Sequence, residues 1–174
     1  DLTLALDQGN ISTASGTAGF NVSGNVIVNA VSGTVSLNLS NSTIGGVLNV
    51  SSGLNTTITS NGAFSMPSNF NVGGALNITA TGAVSNNGNI SVAGITNITS
   101  NTSDVNLLGT NNFTGAVNLK ASTGNIVALD PAPPAEVKAL IERHGVRLNP
   151  EISTIQDAEV IIAAVKPRND SDKG

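Results

Sequence analysis

ALNITATGAVSNNGNISVAG (75–94) runs directly into ITNITSNTSDVNLLGTNNFTG (95–115), and laying one under the other decides the fold. Asn77 falls over Asn97, Ile78 over Ile98 and Thr79 over Thr99. Each stretch opens with a short run in which apolar and polar residues alternate, the period-two signature of a strand with one buried face. Self-similarity at a fixed period near twenty residues is the mark of a repeat architecture in which each unit lies on its neighbour.

The pattern extends outward in both directions. Upstream lie the rows 54–74, 25–53 and 1–24, and downstream the partial row AVNLKASTGNIVALD (116–130). Most rows close on an apolar–polar–apolar triplet shortly before Gly: Phe20/Val22/Gly24, Leu48/Val50/Gly53, Phe70/Val72/Gly74 and Ile90/Val92/Gly94. One inward position recurs as Ile58, Ile78, Ile98 and Leu119, a core ladder. Beside it Thr59, Thr79 and Thr99 form an outer ladder, with Asn77, Asn97 and Asn118 two residues earlier on the same face. Leucine-rich repeats lack this pattern, helical repeats need longer periods, and transmembrane barrels need longer strands and aromatic girdles. The reading that remains is all-β: a right-handed parallel β-helix of about six coils, three short strands to a coil, turns about 4.8 Å apart. Gly and Asn at the corners are expected to supply positive φ. The surplus residues of row 25–53 are expected to bulge out as a loop or added hairpin.

Composition agrees and narrows the function. Aromatic residues are 2% of the chain and charged residues 10%, against 39% hydrophobic, so the core must be built from small branched side chains rather than rings. Disorder does not fit that much regularly spaced apolar residue. Net charge is −4, and basic clusters and stacking aromatics are missing, which speaks against nucleic acid. There is no cysteine, hence no disulfide or thiolate chemistry, and no apolar run long enough for a transmembrane helix. The chain opens at Asp1 without Met or a signal peptide, which reads as a processed or excised product.

Charge also divides the chain. Through residue 130 only Asp1, Asp7, Asp104, Lys120 and Asp130 are charged, while residues 131–174 hold every Arg and five of the six prolines. Residues 1–130 are therefore read as the β-helix. Residues 131–174 are read as a Pro-rich linker with a short helical cap: one helix from Pro134 through His144, a second after Ser153, which with Gln156 resembles a capping box, placing Ile155, Ala158, Ile162 and Val165 on one stripe with a strand over Val160–Val165 as the competing reading, and a disordered end.

Candidate chemistry is sparse. β-Helix enzymes need carboxylate pairs and cations on one face; here four Asp and one Lys are spread over different rows, so catalysis is not expected and no cofactor is implied. Asp104 among amides is a poor hard-cation site, and no metal is expected. His144 fits a helix C-terminus as a dipole-favoured cation. The Thr ladder is too narrow for an ice-binding array, since its neighbour column is Asn and it breaks at Lys120. Asn-x-Ser/Thr sequons abound, and Asn38, Asn49, Asn77, Asn89, Asn97 and Asn112 are taken as candidate glycosylation sites.

The rows AVNLKASTGNIVALD (116–130), NVIVNAVSGTVSLNL (25–39) and NITATGAVSNNGNISVAG (77–94) resemble the haemagglutinin-type repeats of filamentous haemagglutinin and high-molecular-weight adhesins, over about residues 1–130. The resemblance implies two-partner secretion through an outer-membrane partner and residence on the bacterial surface or outside the cell. It also implies a role in adhesion, biofilm or contact-dependent competition. Some members of that family carry glycans on sequon Asn. The expectation is a non-catalytic adhesin stalk meeting glycans or proteins of host or neighbouring cells. The alternative is a homopolymeric filament or sheath subunit associating end to end, and the more remote one a carbohydrate-active β-helix enzyme.

Overall fold

A computed structural model of the chain describes residues 1–14, 19–67, 69–86, 88–109, 111–128 and 154–155. The strands form six successive turns. Turn one holds β1 (Leu2–Leu6), β2 (Ile11–Ser12) and β3 (Asn21–Val22). Turn two holds β4 (Val26–Ala30), β5 (Val35–Asn38) and β6 (Thr43–Ile44). Turn three holds β7 (Leu48–Ser52), β8 (Thr56–Ser60) and β9 (Phe64–Met66). Turn four holds β10 (Phe70–Val72), β11 (Leu76–Ala80) and β12 (Val84–Asn86). Turn five holds β13 (Ile90–Val92), β14 (Thr96–Ser100) and β15 (Val105–Leu107). Turn six holds β16 (Asn112–Phe113), β17 (Val117–Ala121) and β18 (Ile126–Ala128), and β19 (Thr154–Ile155) follows.

Each strand pairs in parallel with its counterpart one turn away, which makes the molecule a parallel β-solenoid. The first face stacks β1-β4-β7-β10-β13-β16 and the second β2-β5-β8-β11-β14-β17-β19. The third face is divided into β3-β6 and β9-β12-β15-β18. On the second face Thr56, Leu76, Thr96 and Val117 are successive register partners, a repeat of 20, 20 and 21 residues.

Alternation builds the core. Within β11 the order is Leu76 in, Asn77 out, Ile78 in, Thr79 out, Ala80 in, and the inward residues are at most 2% exposed. Leu37, Ile58, Ile78, Ile98 and Leu119 are consecutive register partners, all buried, so the apolar column runs through five turns. Each such side chain contributes roughly 1.5–3 kcal/mol on burial. Phe64, Val84, Val105 and Ile126 make a matching column on the third face. Polar residues that turn inward are mostly bonded there. Ser52 Oγ and Thr56 Oγ1 lie 2.7 Å apart. Asn86 Nδ2 donates to Gly88 O at 2.6 Å and to Asn111 Oδ1 at 2.8 Å.

Three expectations need correction. First, the surplus of row 25–53 is neither bulge nor hairpin. Leu48–Ser52 is β7, paired residue for residue with Val26–Ala30, so the row holds one whole turn plus the first strand of the next. Second, corner residues are not there for positive φ. Among the described residues only Asn69 and Gly9 adopt it. What most of the corner glycines supply is closeness: a methyl group on Gly33 would overlap the carbonyl oxygen of Gly9 in the turn below. Third, Thr154–Ile155 does not begin a helix. It is a strand on β17, with Asn118 opposite Thr154 and Leu119 opposite Ile155. An unpaired parallel edge offers this segment a ladder that a local capping box cannot match. The other tail residues assigned to the linker, helices and disordered end, His144 among them, lie outside the described residues, as does Asp130.

The break in the third face has a local cause. Thr43 N and Gly45 N donate back to Phe20 O and Val22 O of turn one, so by alternation the main chain of Ile44 points forward. Phe64 N donates forward to Ala83 O, so Ser65 and Pro67 face back toward turn two. Pro67 has no N–H to give to a ladder at that place. The edges of β6 and β9 stay apart, and a cleft of about 500 Å³ opens between them, lined by Leu39, Ile44, Val47, Phe64, Ser65 and Pro67 among others.

Candidate functional site

The second face carries the longest ordered array of side-chain chemistry. Its strands are in register from β5 to β17, so outward residues fall into two columns. One runs Ser36, Thr57, Asn77, Asn97, Asn118 and the other Asn38, Thr59, Thr79, Thr99, Lys120. Turns repeat about every 4.8 Å and neighbouring columns lie about 7 Å apart along the strand, so hydroxyls and amides sit on a nearly planar grid. Within the first column the amides are chained: Asn97 Nδ2 donates to Asn77 Oδ1 and Asn118 Nδ2 donates to Asn97 Oδ1, each at 2.8 Å. Such a chain fixes the side-chain rotamers, so the face meets a partner already ordered. Lys120 is the only charge on these two columns.

The candidate sugar acceptors separate into two groups. Asn38, Asn89 and Asn112 are exposed, whereas Asn49, Asn77 and Asn97 are half-buried. N-glycosylation replaces a hydrogen on Nδ2, and in Asn97 that nitrogen is committed to Asn77. Asn38 is exposed, and its Oδ1 accepts from Ser40 N at 3.0 Å. The Thr column is arranged as the spacing suggests, with Thr59, Thr79 and Thr99 successive partners and Lys120 next. Asp104 is occupied, its Oδ1 accepting from Asn125 N at 2.7 Å. Among the described residues no three His, Cys, Asp or Glu side chains come together as a metal site.

Reading the sequence missed a device that recurs along the stack. An Asx side chain just before a strand reaches up one turn and accepts a main-chain N–H. Asp1 Oδ1 accepts from Asn25 N (2.7 Å), Asn10 Oδ1 from Thr34 N (2.9 Å), Asn25 Oδ1 from Val47 N (3.0 Å) and Asn55 Oδ1 from Ala75 N (2.8 Å). Asp104 makes the same bond. The signal was present: each of these residues immediately precedes a strand's first residue. The cleft beside Pro67 was missed as well.

Two ends complete the surface. At the last turn Leu119, Ala121 and Ile126 are at most 1% exposed. At the first, Leu4 and Leu6 occupy inward register positions over Val28 and Ala30, yet are 39% and 42% exposed.

Residues 53–120 match a family described as repeats of unknown function (DUF5649), a stretch that runs from just before β8 through most of β17. No curated protein and no solved structure matches the chain.

Proposed function

We propose that this solenoid is a non-catalytic segment of a secreted bacterial surface adhesin, a rigid spacer that also presents a polar, sugar-bearing face to neighbouring or host cells. The observation that supports this reading best is the in-register grid of the second face, with its amide column chained by hydrogen bonds from Asn77 to Asn118. A flat, preordered array of neutral donors and acceptors makes many weak contacts rather than one strong one. Such contacts become useful when many copies act together. Passage through an outer-membrane secretion partner and a place on the cell surface belong to the same proposal, and rest on the resemblance of residues 1–130 to haemagglutinin-type repeats.

The test is adhesion at high valency. Beads carrying many copies of the chain should adhere to epithelial cells or to an arrayed panel of glycans, while the free chain binds at least about tenfold more weakly. Placing glutamate at Thr79 and Thr99, both on the outward column, should abolish adhesion and leave the fold intact by circular dichroism. Coated beads that adhere no better than uncoated ones, or adhesion indifferent to those substitutions, would refute the proposal.

A further inference from the structure

The seam on the third face opens in the interior of the stack, with paired turns on either side of it. β6 pairs with β3 and β9 with β12, so the facing edge of each strand is unused. Asn61 Nδ2 donates to Ser40 O (3.3 Å) where the two segments part, and Ser51 pairs with Asn71 where they rejoin. Between those points they stand clear of each other. A methyl group on Gly62 would meet nothing within 4 Å, whereas one on Gly82, in the same corner one turn on, would press on the main chain of Ala63. The opening reaches the core: Phe64 is 6% exposed, while Val84 and Val105 in the same column are at 0%.

What the cleft presents is main chain. Thr43 N and Gly45 N donate back to turn one, so the N–H and C=O of Ile44 point into the cleft from one wall. Phe64 N donates forward to Ala83 O, so those of Ser65 point into it from the other. Unpaired strand edges of this kind are matched best by the backbone of another extended chain. The lining, from Leu39 to Pro67, carries no charge, so an ionic guest would lose its water there without gaining a partner. Its one ring, Phe64, is too well covered to serve as a stacking platform for a sugar.

We infer that the seam is a binding site for an uncharged extended peptide, which adds to the edge of β9 as a strand. The guest accepts from Ser65 N–H, donates to Ser65 C=O and faces Ile44 across the cleft. Alternate side chains of the guest turn in onto Leu39, Leu48 and Phe64, and those between them turn out to water. β9 together with Pro67 gives such a guest about four residues, roughly 13 Å of strand. The site lies apart from the second face and stands whether or not that face adheres.

A capped pentapeptide alternating valine and serine, titrated into the isotope-labelled chain and followed by NMR, should bind with a Kd on the order of 100 μM. The amides of Ser65 and Ile44 should shift ahead of those of the second face. Methylating the peptide's main-chain nitrogens should weaken binding at least about tenfold, because the ladder bonds go while the side chains remain. That control leaves the protein untouched. On the protein, Ser65→Ala keeps the main chain and should bind within about twofold of the parent. Ser65→Pro removes the N–H that faces the cleft and should bind at least about tenfold more weakly, with an unchanged circular dichroism spectrum. No binding up to about 1 mM overturns the inference. So does a methylated peptide that binds as well as its parent, or an uncharged oligosaccharide that shifts the same two amides when the peptide does not.

Discussion

Thr96 Oγ1 is the one buried side-chain oxygen among the described residues without a hydrogen-bond partner. Its register neighbours on either side are Leu76 and Val117, so the column itself shows what the position tolerates. Thr96→Val keeps the shape and removes an unsatisfied hydroxyl, and should stabilise the chain by about 1 kcal/mol in urea unfolding; a loss of stability would mean that the hydroxyl is bonded after all. The sugar acceptors are decided at the same scale. In natively produced protein, peptide mapping should find glycans on Asn38, Asn89 or Asn112 and none on Asn97, where attachment would break the bond to Asn77. Occupancy of Asn97 ahead of the exposed three would contradict that ordering. The columns of Asn and Thr were legible in the sequence because identical residues recur at 20 and 21. The corner Asn residues were read as suppliers of positive φ, because nothing in composition separates a residue chosen for its φ from one chosen for its reach.

At the scale of the strand, alternation told inward from outward almost everywhere, and its energetic weight can be measured. Ile78→Ala in the middle of β11 should cost about 2–5 kcal/mol through the cavity it leaves. Ile27→Ala, on the outward side of β4 and 41% exposed, should stay within about 0.5 kcal/mol. Equal costs in thermal or urea unfolding would mean that the inward and outward sides have been exchanged. What alternation did not tell was which face a strand belongs to. β7 and β8 are both five residues long, with a similar in–out pattern. A repeat drawn to begin on the first face therefore slipped to the second between residues 48 and 56, and left apparent extra residues behind. The fate of Thr154–Ile155 was hidden for a related reason, since a capping signal is local and the vacant edge of β17 is not.

For the molecule as a whole, every turn leans only on its neighbours, so local stability follows position along the stack. In dilute protein, hydrogen exchange should be slowest for amides of turns four and five, such as Val84, Thr96 and Val105. It should be fastest in β1, whose inward leucines are half open. Uniform protection from β1 to β17 would indicate an all-or-none unit instead. The parallel stack itself was readable from the twenty-residue period, and the difference between its ends was not, because exposure at a terminus depends on what else packs there. The seam beside Pro67 has a mechanical meaning. Turns two and three are joined along two sides of the shaft and unjoined along the third. A rod built that way is stiff to torsion and to sideways load in most directions, but yields in the single plane that widens the slot. A tethered chain would thus nod rather than sway, and the outer portion could tilt toward a surface without any turn unravelling.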